Sequence, residues 1–168
     1  MKVTVFGASG FVGINVVNAF QQAGIEVIAS DIRESPHITA EFKPADLLDY
    51  DQVAGVVKGS DMVVHLAASP LPVSIEKPRL NARINIEGSL NVMDAAREHG
   101  VKKIIFSSAS SLVGEVKYNP VDEKHPATPK TPYGVAKYAI EHYLRVYQEL
   151  YGLNYLIFRF YNIYGPWQ

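Results

Sequence analysis

The chain has 168 residues, 48% apolar and 20% charged, a composition that supports one domain with a sizeable core and excludes disordered, collagen-like and fibrous classes. Sixteen basic against seventeen acidic side chains leave a formal charge of −1, without the basic footprint of a protein that neutralises many nucleic-acid phosphates. Cysteine is absent, which excludes disulfides, thiolate metal sites and cysteine nucleophiles and makes a cytoplasmic protein the expectation.

Lys2 to Phe6 is β-branched and aromatic and stops at Gly7, the pattern of a buried strand. Glycines at 7, 10 and 13 break the opening apolar stretch and no cleavage site follows, so it does not read as a secretory leader. No apolar run approaches a membrane span. Phe11 to Ala23 carries apolar side chains at near-helical spacing and stops at Gly24. A strand over Glu26 to Ser30, a short strand near Phe42, a helix from about Tyr50 to Val57 and a strong strand over Met62 to Leu66 follow. A longer helix is predicted from about Asn81 to His99, ended by Gly100, and then a strand from Lys103 to Ser107. Prolines at 120, 126 and 129 mark Lys117 to Thr131 as a surface loop. Thr131 is a candidate cap for a helix running from Pro132 to Tyr151, and Asn154 to Phe160 forms the last strand. Strands alternating with helices predict an α/β fold, a Rossmann-type doubly wound parallel sheet with helices on both faces, over residues 1–168.

Gly7-Ala8-Ser9-Gly10-Phe11-Val12-Gly13 falls between the first strand and first helix. Glycines there permit a tight turn and close approach of backbone to a pyrophosphate, which the helix N-terminus attracts. The spacing is GxxGxxG rather than GxGxxG, and any tight strand-to-helix turn favours glycine, so the surrounding strand, helix and acid carry the reading. That acid is Asp31, 18 residues after Gly13, placed to accept from adenosine ribose hydroxyls and to repel a 2′-phosphate. NAD is therefore expected over NADP. Arg33 works against this, being the group that accommodates such a phosphate, unless it is a solvated loop residue.

In Tyr133-Gly134-Val135-Ala136-Lys137 the phenol and the ammonium are four apart on one helix face. A neighbouring cation favours phenolate and would move the tyrosine toward the operating pH, where it can transfer a proton. The same helix carries one apolar stripe of Ala136, Ile140, Tyr143, Tyr147 and Leu150 and a second of Val135, Ala139 and Val146, so two of its sides require cover. The histidines at 37, 65, 99, 125 and 142 lack paired spacing, and no metal site is expected. His65 reads as a hydrogen-bonded core residue, and Tyr161 and Tyr164 as cleft or packing aromatics.

Taken in order, GASGFVG, Asp31, Ala45-Asp46-Leu47, His65-Leu66-Ala67-Ala68, the Asn85 to Asn91 helix, the serine-rich strand end at Ser107, Thr131-Pro132-Tyr133-Gly134 with Lys137, and Arg159 to Pro166 resemble the extended short-chain dehydrogenase/reductase family over the whole chain. This group includes nucleotide-sugar epimerases, dehydratases and reductases, among them UDP-glucose 4-epimerases. The resemblance implies that Gly7, Gly10, Gly13 and Phe11 line the pyrophosphate, Asp31 and Arg33 stand at the adenosine ribose, and Asp46 and Leu47 meet the adenine edge. It further implies that Ala67 and Ala68 wall the nicotinamide ribose, that Lys137 bonds that ribose and lowers the Tyr133 pKa, and that Ser107 and Asn85 support the site. Asn85 reads equally well as a core asparagine with a local partner.

One position departs from the family pattern: Ala109 stands where a serine or threonine is usual, and Val113-Gly114 where tyrosine-glycine is usual. Ser108, Ser110 and Ser111 surround the gap, and Ser110 is the expected replacement, unless all three satisfy local backbone groups. Dehydratases of the family carry an acidic pair where this chain has Ser110 and Ser111, so a 4,6-dehydratase is disfavoured. The resemblance thus implies an NAD-dependent nucleotide-sugar epimerase or reductase using Tyr133, Lys137 and Ser110 and a homodimer paired through the 81–99 and 132–151 helices, with the family's C-terminal substrate lobe absent from residues 1–168. The competing expectation is an NAD-binding domain without catalysis of its own.

Overall fold

A computed structural model describes residues 1–168. Six strands, β1 (Lys2–Phe6), β2 (Glu26–Asp31), β3 (Glu41–Pro44), β4 (Met62–His65), β5 (Lys103–Ala109) and β6 (Asn154–Phe160), form one parallel sheet in the order β3-β2-β1-β4-β5-β6. The helices are α1 (Phe11–Gln22), α2 (Tyr50–Val57), α3 (Leu71–Glu76), α4 (Pro78–Ala82), α5 (Gly88–Glu98) and α6 (Pro132–Tyr151). Chain order reverses between β1 and β4, whose ends pair at Phe6 and His65, and such a switch point opens a crevice at the carboxyl edge of a parallel sheet.

Alternation along β1 divides the core. Val3 and Val5 face one side with Ala29, Val64 and, from α1, Ile14 and Val17. Phe6 faces the other with Ile28, Val63, Ile104 and Phe106, covered by Val53 of α2, Val92 of α5 and Ile140 and Leu144 of α6. Thr4 tolerates that second side because its hydroxyl meets Ser60 Oγ at 2.8 Å and the Val56 carbonyl at 3.2 Å.

All six strands and the helices α1, α2 and α6 match the sequence reading within a residue or two. The predicted helix over 81–99 is instead α4, a π-helical turn over Arg83–Glu87, and α5. The short α3 was not expected. On α6 the line buried within the chain is Ala136, Ile140 and Leu144, while Tyr143 and Leu150 of the expected stripe lie 40% and 66% exposed. Apolar identity alone left the phase of that helix undetermined, and packing on β5 and β6 chose it.

Candidate active site

The turn after β1 folds on itself: Gly7 and Ala8 both donate to the Ser30 carbonyl, and Gly10 donates to the Gly7 carbonyl. Gly7 has a φ of 79° and lies so close to β4 that a Cβ there would sit 2.5 Å from the Ala67 nitrogen; one on Gly13 would sit 2.1 Å from the Gly7 carbonyl oxygen. Only glycine fits either place. Gly10 is the N-cap of α1, with no side-chain cap and no acid in the first turn, which leaves the positive end of the helix to an anion.

A cleft of about 600 Å³ opens beside this turn, lined by Gly7, Gly10, Asp31, Asp46, Leu47, Ala67 and Ala68 among the expected residues. Asp31, at the end of β2, accepts from Ser9 N at 3.1 Å through Oδ2 and from Ile32 N at 2.8 Å through Oδ1, so its carboxylate is held at the mouth. The Asp46 carboxylate accepts from Leu48 N, and Asn91 of α5 donates to the Leu47 carbonyl, which fixes the far wall. The Arg33 side chain is exposed and does not line the cleft; its carbonyl accepts from the Ser9 hydroxyl at 2.6 Å. Leu48, Pro70, Val73, Leu80 and Ile84 also line it. The sequence reading missed them because apolar side chains in turns and short helices carry no motif.

Behind the wall, Asn85 in the π-helical turn clamps Ser69: Oδ1 accepts from Ser69 N at 2.7 Å and Nδ2 donates to Ser69 O at 2.9 Å. Asn81, one turn earlier and fully buried, donates to the same carbonyl at 3.0 Å. Asn85 is therefore a support of the cleft wall rather than part of its lining. Asn81 was not anticipated, although its i−4 spacing from Asn85 was a usable signal. Ser89 Oγ donates to the Asn85 carbonyl and meets His65 Nε2 at 2.8 Å, which makes His65 the hydrogen-bonded core residue expected.

Tyr133 and Lys137 stand outside that cleft, at the end of β5. Thr131 caps α6 by accepting from Gly134 N at 3.1 Å, and Pro132 opens the helix. Lys137 is buried, donates to the Ser107 carbonyl at 2.7 Å and lies 4.6 Å from the centre of the Phe106 ring. Burial holds its ammonium down to about 7. Its charge also helps burial to depress His65, to about 3. The expected lowering of Tyr133 is not seen in the chain alone: burial raises its phenol above the ordinary value, while the Lys137 ammonium, 5.6 Å from the ring centre, donates to the Ser107 carbonyl. Ser110 and Ser111 lie in a 3₁₀ turn over Ser110–Leu112, and the Ser111 carbonyl packs on Gly134, beside Tyr133. The Ser107 hydroxyl donates to the His65 carbonyl. Tyr161 and Tyr164 are exposed and line no part of the cleft.

A parallel sheet with a glycine turn at its first crossover, an acid at the end of β2 and a wall after β4 defines a Rossmann-type fold. Residues 3–168 match the family model for the NAD dependent epimerase/dehydratase family, and the chain belongs to that family. A putative UDP-glucose 4-epimerase of Methanocaldococcus jannaschii is 36% identical over 99% of this chain and 57% of its own length. Among solved structures, the UDP-glucose 4-epimerase of Thermus thermophilus in complex with NAD superposes with a TM-score of 0.93 at 35% identity, over 100% of this chain and 57% of its own. That of Thermotoga maritima with UDP-glucose gives 0.95 at 34%, over 100% and 58%. The chain thus spans little more than half the length of these relatives. No helix is long and apolar enough to cross a membrane.

Proposed function

We propose that this chain binds NAD and supplies the proton-transfer residues of a nucleotide-sugar epimerase or reductase. The observation that carries the reading is the cradle in which Gly7 and Gly13 leave no room for a Cβ while Asp31 is held at the mouth of the adjoining cleft. Those residues fit a dinucleotide: the uncapped α1 faces the pyrophosphate, Asp31 accepts from the ribose, and Leu47 with Ala67 and Ala68 supplies flat apolar walls. Bound there, NAD supplies a hydride acceptor. Tyr133 exchanges a proton with a sugar hydroxyl, Lys137 on the same helix face lies 5.6 Å from its ring centre as the nearby cation on which a phenolate could draw once the site is loaded, and Ser110 positions the sugar oxygen in place of the hydroxyl absent at Ala109. The exposed Val135, Tyr143, Val146 and Leu150 on α6 support pairing of two copies through that helix.

Calorimetry with NAD, followed by incubation with UDP-glucose and chromatography of the sugar nucleotide, tests the reading. Binding is expected, with conversion to the 4-epimer or, with one NADH formed per sugar oxidised, to the 4-keto sugar, and Tyr133→Phe is expected to abolish conversion and retain the binding. Unchanged conversion by that variant removes the role of Tyr133. Ala109 favours the second reading, a dinucleotide-binding domain without turnover, which NAD binding with no conversion would support.

A further inference from the structure

Glu141 is a buried carboxylate that the proposed chemistry leaves unused. Tyr133, Lys137 and Glu141 follow one another at four-residue intervals on α6, so all three lie along one side of the helix. Glu141 is 1% exposed, a position that a lone charge does not tolerate. Its partner is Arg159 of β6, whose Nε donates to Oε1 at 3.0 Å and whose Nη2 donates to Oε2 at 2.7 Å. The remaining arm, Nη1, donates to the Glu123 carbonyl at 3.2 Å, in the loop that leads to α6. One guanidinium thus joins the catalytic helix, the strand beside it and the loop before it. In the sheet, Arg159 is paired with Ser108, the residue after the Ser107 whose carbonyl receives Lys137.

We propose that Glu141 and Arg159 are positioning residues, a charge-balanced clamp that fixes α6 against β5 and β6 without leaving net charge beside the Tyr133–Lys137 pair. A bidentate pair sets both distance and angle between its carriers, so the clamp defines how far along β5 the Lys137 ammonium reaches. Balance matters because Lys137 has no carboxylate partner of its own, and burial is the cause of its lowered pKa, so an unpaired charge one turn further along the same helix face would act on it directly. Tyr133 and His65 are the titratable groups facing Lys137. Around the clamp stand Arg145, Asp122, Glu123, Tyr138 and Tyr161. The inference rests on the proposed role of Lys137.

Its test is a titration of the Lys137 ammonium by NMR in the full chain carrying ¹³C-labelled lysine, the resonance being assigned by its loss in Lys137→Met. Glu141→Gln keeps the shape and leaves the Arg159 charge uncancelled, and the midpoint is expected to fall by about one pH unit. Arg159→Gln leaves the carboxylate uncancelled and is expected to raise it. The double variant returns it to the wild-type value. Glu141→Gln is close to isosteric and decides the question if the arginine variant does not fold: no shift, or an upward one, overturns the clamp. Equal shifts of the same sign in both single variants overturn it too. NAD affinity measured on the same samples tests the dinucleotide reading separately, since the titration needs no cofactor.

Discussion

Lys137 donates to the Ser107 carbonyl at 2.7 Å from a buried position where no carboxylate pairs with it. The folded chain therefore favours the neutral amine, while the unfolded chain holds the proton up to the ordinary value of 10.5. Between about 7 and 10.5 the unfolded state binds more protons, so this group makes stability rise with pH in that window. Urea midpoints at pH 7 and 9 are expected to increase in the wild type more than in Lys137→Met. An equal rise in both would mean that the ammonium is not held down by burial.

His65 carries the opposite end of the range. Burial lowers it from 6.5 to about 3, so the stability it contributes is complete above 6.5 and is lost as pH falls toward 3. His65→Asn is expected to lower stability at neutral pH through the broken contact with Ser89 and to flatten the loss between pH 6.5 and 4. Thermal unfolding across that interval measures both.

At the cradle, Gly13→Ala forces a methyl against the carbonyls of Gly7 and Ala8, at 2.1 and 2.6 Å. Because backbone must move, a cost of about 1–3 kcal/mol is expected, seen as a melting temperature lowered by several degrees and as lost NAD binding. A variant that melts and binds as the wild type does would show that the turn has room for a methyl group.

Asp31→Asn keeps the size of the side chain and removes its charge. NAD affinity is expected to fall roughly tenfold or more, and the preference over NADP to narrow, because the carboxylate no longer repels a 2′-phosphate. Isothermal titration with both dinucleotides gives the ratio. Arg33 is exposed and outside the cleft, so Arg33→Ala should change NAD binding little.

Placing acids on the exposed face of α6, in a Val146→Glu, Leu150→Glu chain, is expected to yield monomers in sedimentation experiments with an unaltered circular dichroism spectrum. These side chains are 44% and 66% exposed, so the fold does not require them. A wild-type chain that sediments as a monomer at micromolar concentration removes the pairing.

The sequence by itself determined the sheet, the glycine turn, Asp31 and the Tyr133–Lys137 spacing, because each is local: β-branched runs, obligatory glycines and helical periodicity act within a few residues of one another. Tertiary structure decided the rest. Which side of α6 is buried depended on β5 and β6, not on which residues are apolar. The lowering of Lys137 followed from burial against Phe106 and Ser107, contacts about 30 residues away in sequence, and the raising of Tyr133 from burial too. Asn81 and Asn85 gained their role only where the loop after β4 returned Ser69 to them. Glu141 found its cation 18 residues downstream on a neighbouring strand. Charge, desolvation and hydrogen-bond partners are properties of what surrounds a group, and only the packed chain supplies those surroundings.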